Sequence, residues 1–245
     1  MSAVRQYDGT NDETRITTTL ALTAAYTIAF VMKATGGDGA WMAPMVTYAS
    51  GDTAFRTYIE RDNNNKLRLG NSSAFTITTP TFTVADGWFF FCASKASGTV
   101  NPVFYWRKAA DGSLSNETSA STLPNDLTIS GGHVRIGDFD GGDWLNARMA
   151  RLAFWDGTAL NSTQVTALLG GTLNDWKIGS PAPSRLYEFD QASTSTAITD
   201  QMASGDNQGS QVETTVITND VPPTSLISMS SANTYTKTGL GVVGP

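Results

Sequence analysis

The chain alternates apolar and polar residues with a period of two over much of its length, and the alternation stops every few residues at Gly, Asn or Asp. That is the pattern of short strands joined by tight turns. Tyr7-Asp8-Gly9-Thr10-Asn11-Asp12 has turn chemistry, residues 14–22 alternate, and residues 26–32 read as a more buried strand that ends at Gly36-Gly37-Asp38-Gly39. Strands are predicted next over 45–50, 54–61 and 66–70, with Asp62-Asn63-Asn64-Asn65 as the hairpin tip between the last two. Pro80 interrupts a run from 75 to 84. Because proline cannot donate to a ladder, it marks an edge or a bend. Asp86-Gly87 introduces a strand over 88–93, with 103–108 as its hairpin mate, and 109–131 read as a long polar loop.

His133-Val134-Arg135-Ile136-Gly137 is a short strand, 138–143 a loop rich in Gly and Asp, and 147–155 a strand of strict alternation. Ala147, Met149 and Arg151 are expected on one face, and Ala150, Leu152 and Phe154 on the other. The period then changes once. Residues 161–171 fit a short helix, with Asn161 or Ser162 as N-cap and Gly170 or Gly171 as the left-handed stop. It reads as a surface helical turn over one end of a sandwich. Residues 172–185 hold Trp176 and two prolines, 186–189 form a strand, 190–211 a polar loop and 212–218 a last strand. After Pro222-Pro223 the sequence is rich in Ser, Thr and Gly. The expected division is a sandwich over 1–221 and an extended tail over 222–245 that something holds in place.

Composition narrows function more than fold. With 245 residues, 40% of them hydrophobic, the chain can bury a sizeable core. The net charge of -6 and pI near 4.7 give no basic footprint for nucleic acid, and the longest basic cluster, Arg107-Lys108, is no polybasic membrane patch. No apolar stretch approaches the ~18 residues that span a bilayer. Cys92 is the one cysteine, so no intrachain disulfide can form, and the start MSAVRQYDGT carries no basic-then-apolar leader. The expectation is a soluble chain made in a reducing cytosol.

Two stretches resemble the concanavalin A-like lectin and laminin-G-like family. One is the opening Tyr7-Asp8-Gly9-Thr10-Asn11-Asp12, followed by a Thr-rich strand and Tyr26-Thr27-Ile28-Ala29-Phe30. The other runs in order through Ile136-Gly137, Asp143-Trp144-Leu145, the strand from Ala147 to Trp155, and Ala159-Leu160-Asn161 with its helical turn. Asp86-Gly87-Trp88 is similar to the family's middle motif, so the resemblance covers roughly 5–170. It implies an all-β, concanavalin A-like jelly-roll sandwich of two antiparallel sheets. Ala147 stands where the family usually has Gly, and Ala150 and Arg151 where it often carries acidic residues, so the fold carries over better than a binding site.

The family's sugar and calcium chemistry suggests where to look. Trp41, Trp144 and Trp176 lie beside Gly- or Asp-rich loops and are the candidate carbohydrate platforms, whereas Trp88, Trp106 and Trp155 fall in strands and read as core. Asp138, Asp140 and Asp143 offer carboxylates in a glycine loop, a candidate calcium set, with Asp8, Asn11 and Asp12 a weaker one. No cofactor is required beyond that. Family members that cleave β-glucans carry Glu-x-Asp-x-x-Glu on one strand; here the nearest approach is Glu60-Arg61-Asp62, which reads as a solvated hairpin end. His133 is the one histidine; no Gly-x-Ser-x-Gly elbow precedes it, so it reads as a surface or interface histidine, and one His and one Cys far apart give no zinc site.

Three readings follow. The first is a non-enzymatic virion protein, a phage capsid decoration or tail-associated subunit, made in host cytoplasm and docked on other capsid subunits or on copies of itself. The second is a carbohydrate-binding lectin module, with or without calcium, that recognises host surface glycans. The third is a glycoside hydrolase of the same fold.

Overall fold

The computed structural model describes residues 4–17, 20, 22, 24–48, 55–125, 133–139, 142–189, 200–202, 209–212, 215–217, 220 and 222–227. They form two antiparallel sheets. The first has eight strands, with β10 (Ser115–Thr118), β9 (Val103–Lys108), β8 (Trp88–Lys95), β3 (Tyr26–Ala34), β12 (Asn146–Asp156), β1 (Val4–Asp8) and β15 (Thr215–Ile217) in that order, and β13 (Arg185–Glu188) paired with β12. The second has seven: β14 (Gly209–Val212), β2 (Glu13–Thr17), β11 (His133–Ile136), β4 (Met42–Tyr48), β5 (Phe55–Arg61), β6 (Lys66–Gly70) and β7 (Phe75–Thr81).

The inner faces meet in one apolar core. Phe30, Met32, Phe89, Phe91, Leu152 and Phe154 from the first sheet pack on Ile59, Leu67, Leu69, Val134 and Ile136 from the second. The first sheet is buried on its outer face too. Ala29, Val31, Phe90, Cys92 and Trp155 lie beneath Leu160, Val165, Leu168 and Trp176. Strands covered on both sides read as continuous apolar runs, which is why Trp88-Phe89-Phe90-Phe91-Cys92 shows no alternation.

α1 (Ser162–Thr166) starts where its cap signals predict. The Gln164 amide donates to Asn161 Oδ1 at 3.0 Å and the Asn161 amide to Gln164 Oε1 at 2.9 Å. The helix is shorter than the expected 161–171, ending at a right-handed C-cap on Ala167, and turns then lead to Gly170 at φ +69°. A second helix, α2 (Leu173–Lys177), was not expected; Thr172 caps it and Asp175 closes the same box.

Strict alternation fails in β12. The register slips between Met149 and Arg151, so Ala147, Met149, Leu152 and Phe154 all face the core, while Arg151 turns outward. A bulge re-aims side chains in this way. Fully buried, Arg151 pairs with Glu188, donates to Gly171 O at 3.1 Å and lies 5.0 Å from the Trp176 ring centroid.

Elsewhere β7 runs through Pro80 as the edge strand of its sheet, as the proline requires, and the next segment is a 3-10 turn over Val84–Asp86 rather than more strand. β10 lies inside the expected 109–131 loop, and the expected last strand at 212–218 is instead β14 and β15, one on each sheet. Among the described residues no helix is long and apolar enough to cross a membrane.

Candidate binding face

The outer face of the second sheet has no helical cover among the described residues. Strand parity places Val46 and Tyr48 of β4, Tyr58 and Glu60 of β5, Arg68 and Gly70 of β6, and Phe75 and Ile77 of β7 on that side. Gly70 is opposite Tyr58, and a Cβ there would come 2.1 Å from the ring carbon Cζ, so the Tyr58 ring lies across the glycine. Phe139, from the loop after β11, packs on Tyr58 with centroids 5.4 Å apart. Nearby, His133 stacks on Tyr48 at 5.4 Å and 12°, Arg135 lies 4.6 Å from the Tyr48 centroid, and Arg135 Nε donates to His133 Nε2 at 3.2 Å.

Towards β7 the face becomes apolar and open. Trp41 is 37% exposed and Phe75 51%, and these are the exposed aromatic rings among the described residues. The Arg68 guanidinium lies 4.8 Å from the Trp41 centroid and 3.9 Å from that of Phe75. Its Nη1 also contacts Glu60 Oε2 at 3.2 Å. A cation on ring faces is held by the ring quadrupoles, which fixes all three side chains. The loop that carries Trp41 is anchored by Arg61, fully buried, which donates to Asp38 Oδ1 at 3.0 Å, to Phe82 O at 2.9 Å and to Gly37 O.

The Asp143 carboxyl neighbours Glu60 closely enough to couple to it electrostatically. Burial first, then that contact, push the Glu60 carboxyl up to about 7, against the pull of Arg68. Burial likewise raises the Tyr58 phenol above its ordinary value.

Each residue named from the sequence has a definite place, with one exception. Trp41 lies on this face. Trp144 is half-buried in the loop before β12. Trp176 is fully buried against Phe90 and Trp155, with its indole N–H donating to Leu168 O at 2.8 Å, so it offers no ring to a sugar. Trp88 and Trp155 are buried as expected, and Trp106 is partly so. Asp140 lies outside the described residues. Asp138 pairs with Arg135 at 2.8 Å while Asp143 neighbours Glu60, so the two described loop carboxylates face different protein groups. Among the described residues no three His, Cys, Asp or Glu side chains converge as a metal site. Asp8 and Asp12 close their own turn, accepting from the Thr10 and Asp8 amides at 2.8 and 2.6 Å. Asp62 accepts from the Asn64 and Lys66 amides, both at 2.9 Å, and so closes the hairpin rather than pairing with Glu60. Tyr58, Arg68 and Phe75 were not singled out from sequence.

Two antiparallel sheets packed face to face, with one covered and one open outer face, make an antiparallel β-sandwich. Solved structures of similar fold include a heptameric SAP-like pentraxin from Limulus polyphemus, with 18% identity and TM-score 0.46 over 68% of this chain and 81% of that one. Domains LG4-5 of the mouse laminin alpha1 chain align at 9% identity and TM-score 0.45, over 64% of this chain and 43% of that one. The Ca2+/Man-bound exoplasmic/lumenal domain of VIP36 aligns at 11% and 0.42, over 66% and 80%. No protein-family model and no curated protein matches the sequence.

Proposed function

We propose that the chain is a non-catalytic saccharide-binding module whose ligand stacks on Trp41 and Phe75. The observation that carries this reading is the pair of exposed rings held on either side of Arg68. Sugar rings present C–H faces that pack on aromatic surfaces, and neighbouring polar groups then orient the hydroxyls. The Arg68 guanidinium, against both rings, is placed to supply one. Glu60 argues against hydrolysis. Glycosidase carboxyl groups flank the scissile bond some 5–9.5 Å apart, whereas Glu60 is buried and ion-paired with Arg68.

A glycan array followed by calorimetry tests the reading. Trp41→Ala and Phe75→Ala should each weaken binding about tenfold or more with little change in Tm. Binding that survives both substitutions, or none to any saccharide, overturns it. A chelator should leave affinity unchanged, because Asp138 is already paired with Arg135.

For the setting of this activity we propose a virion surface, with the chain as an attachment or decoration subunit. A lone buried thiol in place of a disulfide suits a fold completed in a reducing cytosol. Co-sedimentation with capsids supports that setting, and a chain found only free of particles rules it out.

A further inference from the structure

Lys33 on β3 is opposite Trp88 on β8 and Arg148 on β12, and Arg148 is opposite Gln6 on β1. These four residues therefore make one transverse row over four adjacent strands of the first sheet. Three of them turn N–H donors to one carboxylate. Lys33 Nζ donates to Asp220 Oδ2 at 2.6 Å, Trp88 Nε1 to Asp220 Oδ1 at 2.9 Å, and Arg148 Nη1 to Asp220 Oδ2. Gln6 holds the remaining side of the guanidinium, accepting from Arg148 Nε at 3.1 Å.

The row needs an anion. Like charges directly opposite on neighbouring strands repel, and Lys33 and Arg148 are such a pair. Asp220 comes from outside the sheet's strands, just ahead of a short segment that seats on the same face. There Pro222 is buried, Leu226 and Ile227 are fully buried beside Leu160, Val165 and Leu168, and the Gly170 amide donates to Leu226 O at 3.0 Å.

We propose that Trp88, Lys33 and Arg148, steadied by Gln6, form a carboxylate-receiving row, and that Asp220 in it is a releasable latch holding residues 222–227 on the first sheet. The latch is electrostatic and directional, while the seat it secures is small and apolar. Opening it uncovers the apolar surface beside α1 without breaking any strand pairing of the sandwich core. Consistent with this, the Lys33 and Trp88 hydrogen bonds and the charges of Lys33 and Arg148 hold the Asp220 carboxyl below its ordinary range although burial works the other way.

The test uses the full chain with Asp220→Ala, read by amide exchange with and without added acetate. The variant should exchange the Leu226 and Gly170 amides about tenfold faster or more, as loss of charge-assisted hydrogen bonds implies, with β3, β8 and β12 unchanged. Sodium acetate, which can fill the row but is not tied to residues 222–227, should leave both amides in fast exchange, as sodium chloride at equal ionic strength should. Asp220→Asn, which keeps the shape and loses the charge, should behave as Asp220→Ala does. Unchanged exchange in Asp220→Ala, slow exchange restored by untethered acetate, or acceleration spread through β3, β8 and β12 would each overturn the proposal.

Discussion

At the scale of single residues the candidate face depends on what is missing as much as on what is present. Gly70 has no side chain, and the Tyr58 ring uses that space. Gly70→Ala should force the ring off the sheet, costing about 1–3 kcal/mol in denaturant unfolding and changing the near-UV tyrosine signal. Glu60 gives a pH dependence of known sign. Its folded value of about 7 lies above the ordinary 4.5, so its contribution to stability is fully present below about 4.5 and is lost as pH rises through about 7. Glu60→Gln should flatten that part of the stability profile, measured by Tm against pH. Trp41 could be named from sequence because it abuts a glycine loop. Phe75 and Arg68 could not, since an apolar residue on a strand looks alike whether it faces core or solvent until the partner sheet is known. Trp176 was misplaced because the helix that buries it was not recognised.

At the scale of elements, local chemistry was legible where it was strong. The start of α1 follows from its Asn161 cap, though the helix ends well before the glycines expected to close it, and β7 takes the edge because Pro80 permits nothing else. α2 carries a capping box in Thr172 and Asp175, but with five residues it has too little periodicity to stand out. β10 pairs through its backbone while showing only half-buried and exposed positions, so its polar side chains read as loop. The β12 bulge was invisible because either register satisfies the alternation locally, and the choice is made by the core. Asn161→Ala and Thr172→Ala should each cost about 1 kcal/mol of stability, measured by chemical denaturation, with the secondary structure of the sandwich retained. Loss of a cap matters here because both helices are short and their stability comes from the sheet they cover.

At the scale of the whole molecule the sandwich is two-sided. One sheet lies under α1, α2 and residues 222–227, and the other presents its strand surface, with Trp41 and Phe75 in the open. The sides are chemically separate, so substitutions under the helices should alter unfolding and leave ligand affinity alone, while loss of the exposed Trp41 or Phe75 ring should do the reverse. Cys92 sits under the covered side, fully buried on β8, where burial raises its thiol above the ordinary range. A thiol kept neutral and out of solvent reacts only when its surroundings part. It is thus an internal clock for that side of the protein. Its rate of labelling by a disulfide reagent counts the moments when the cover lifts.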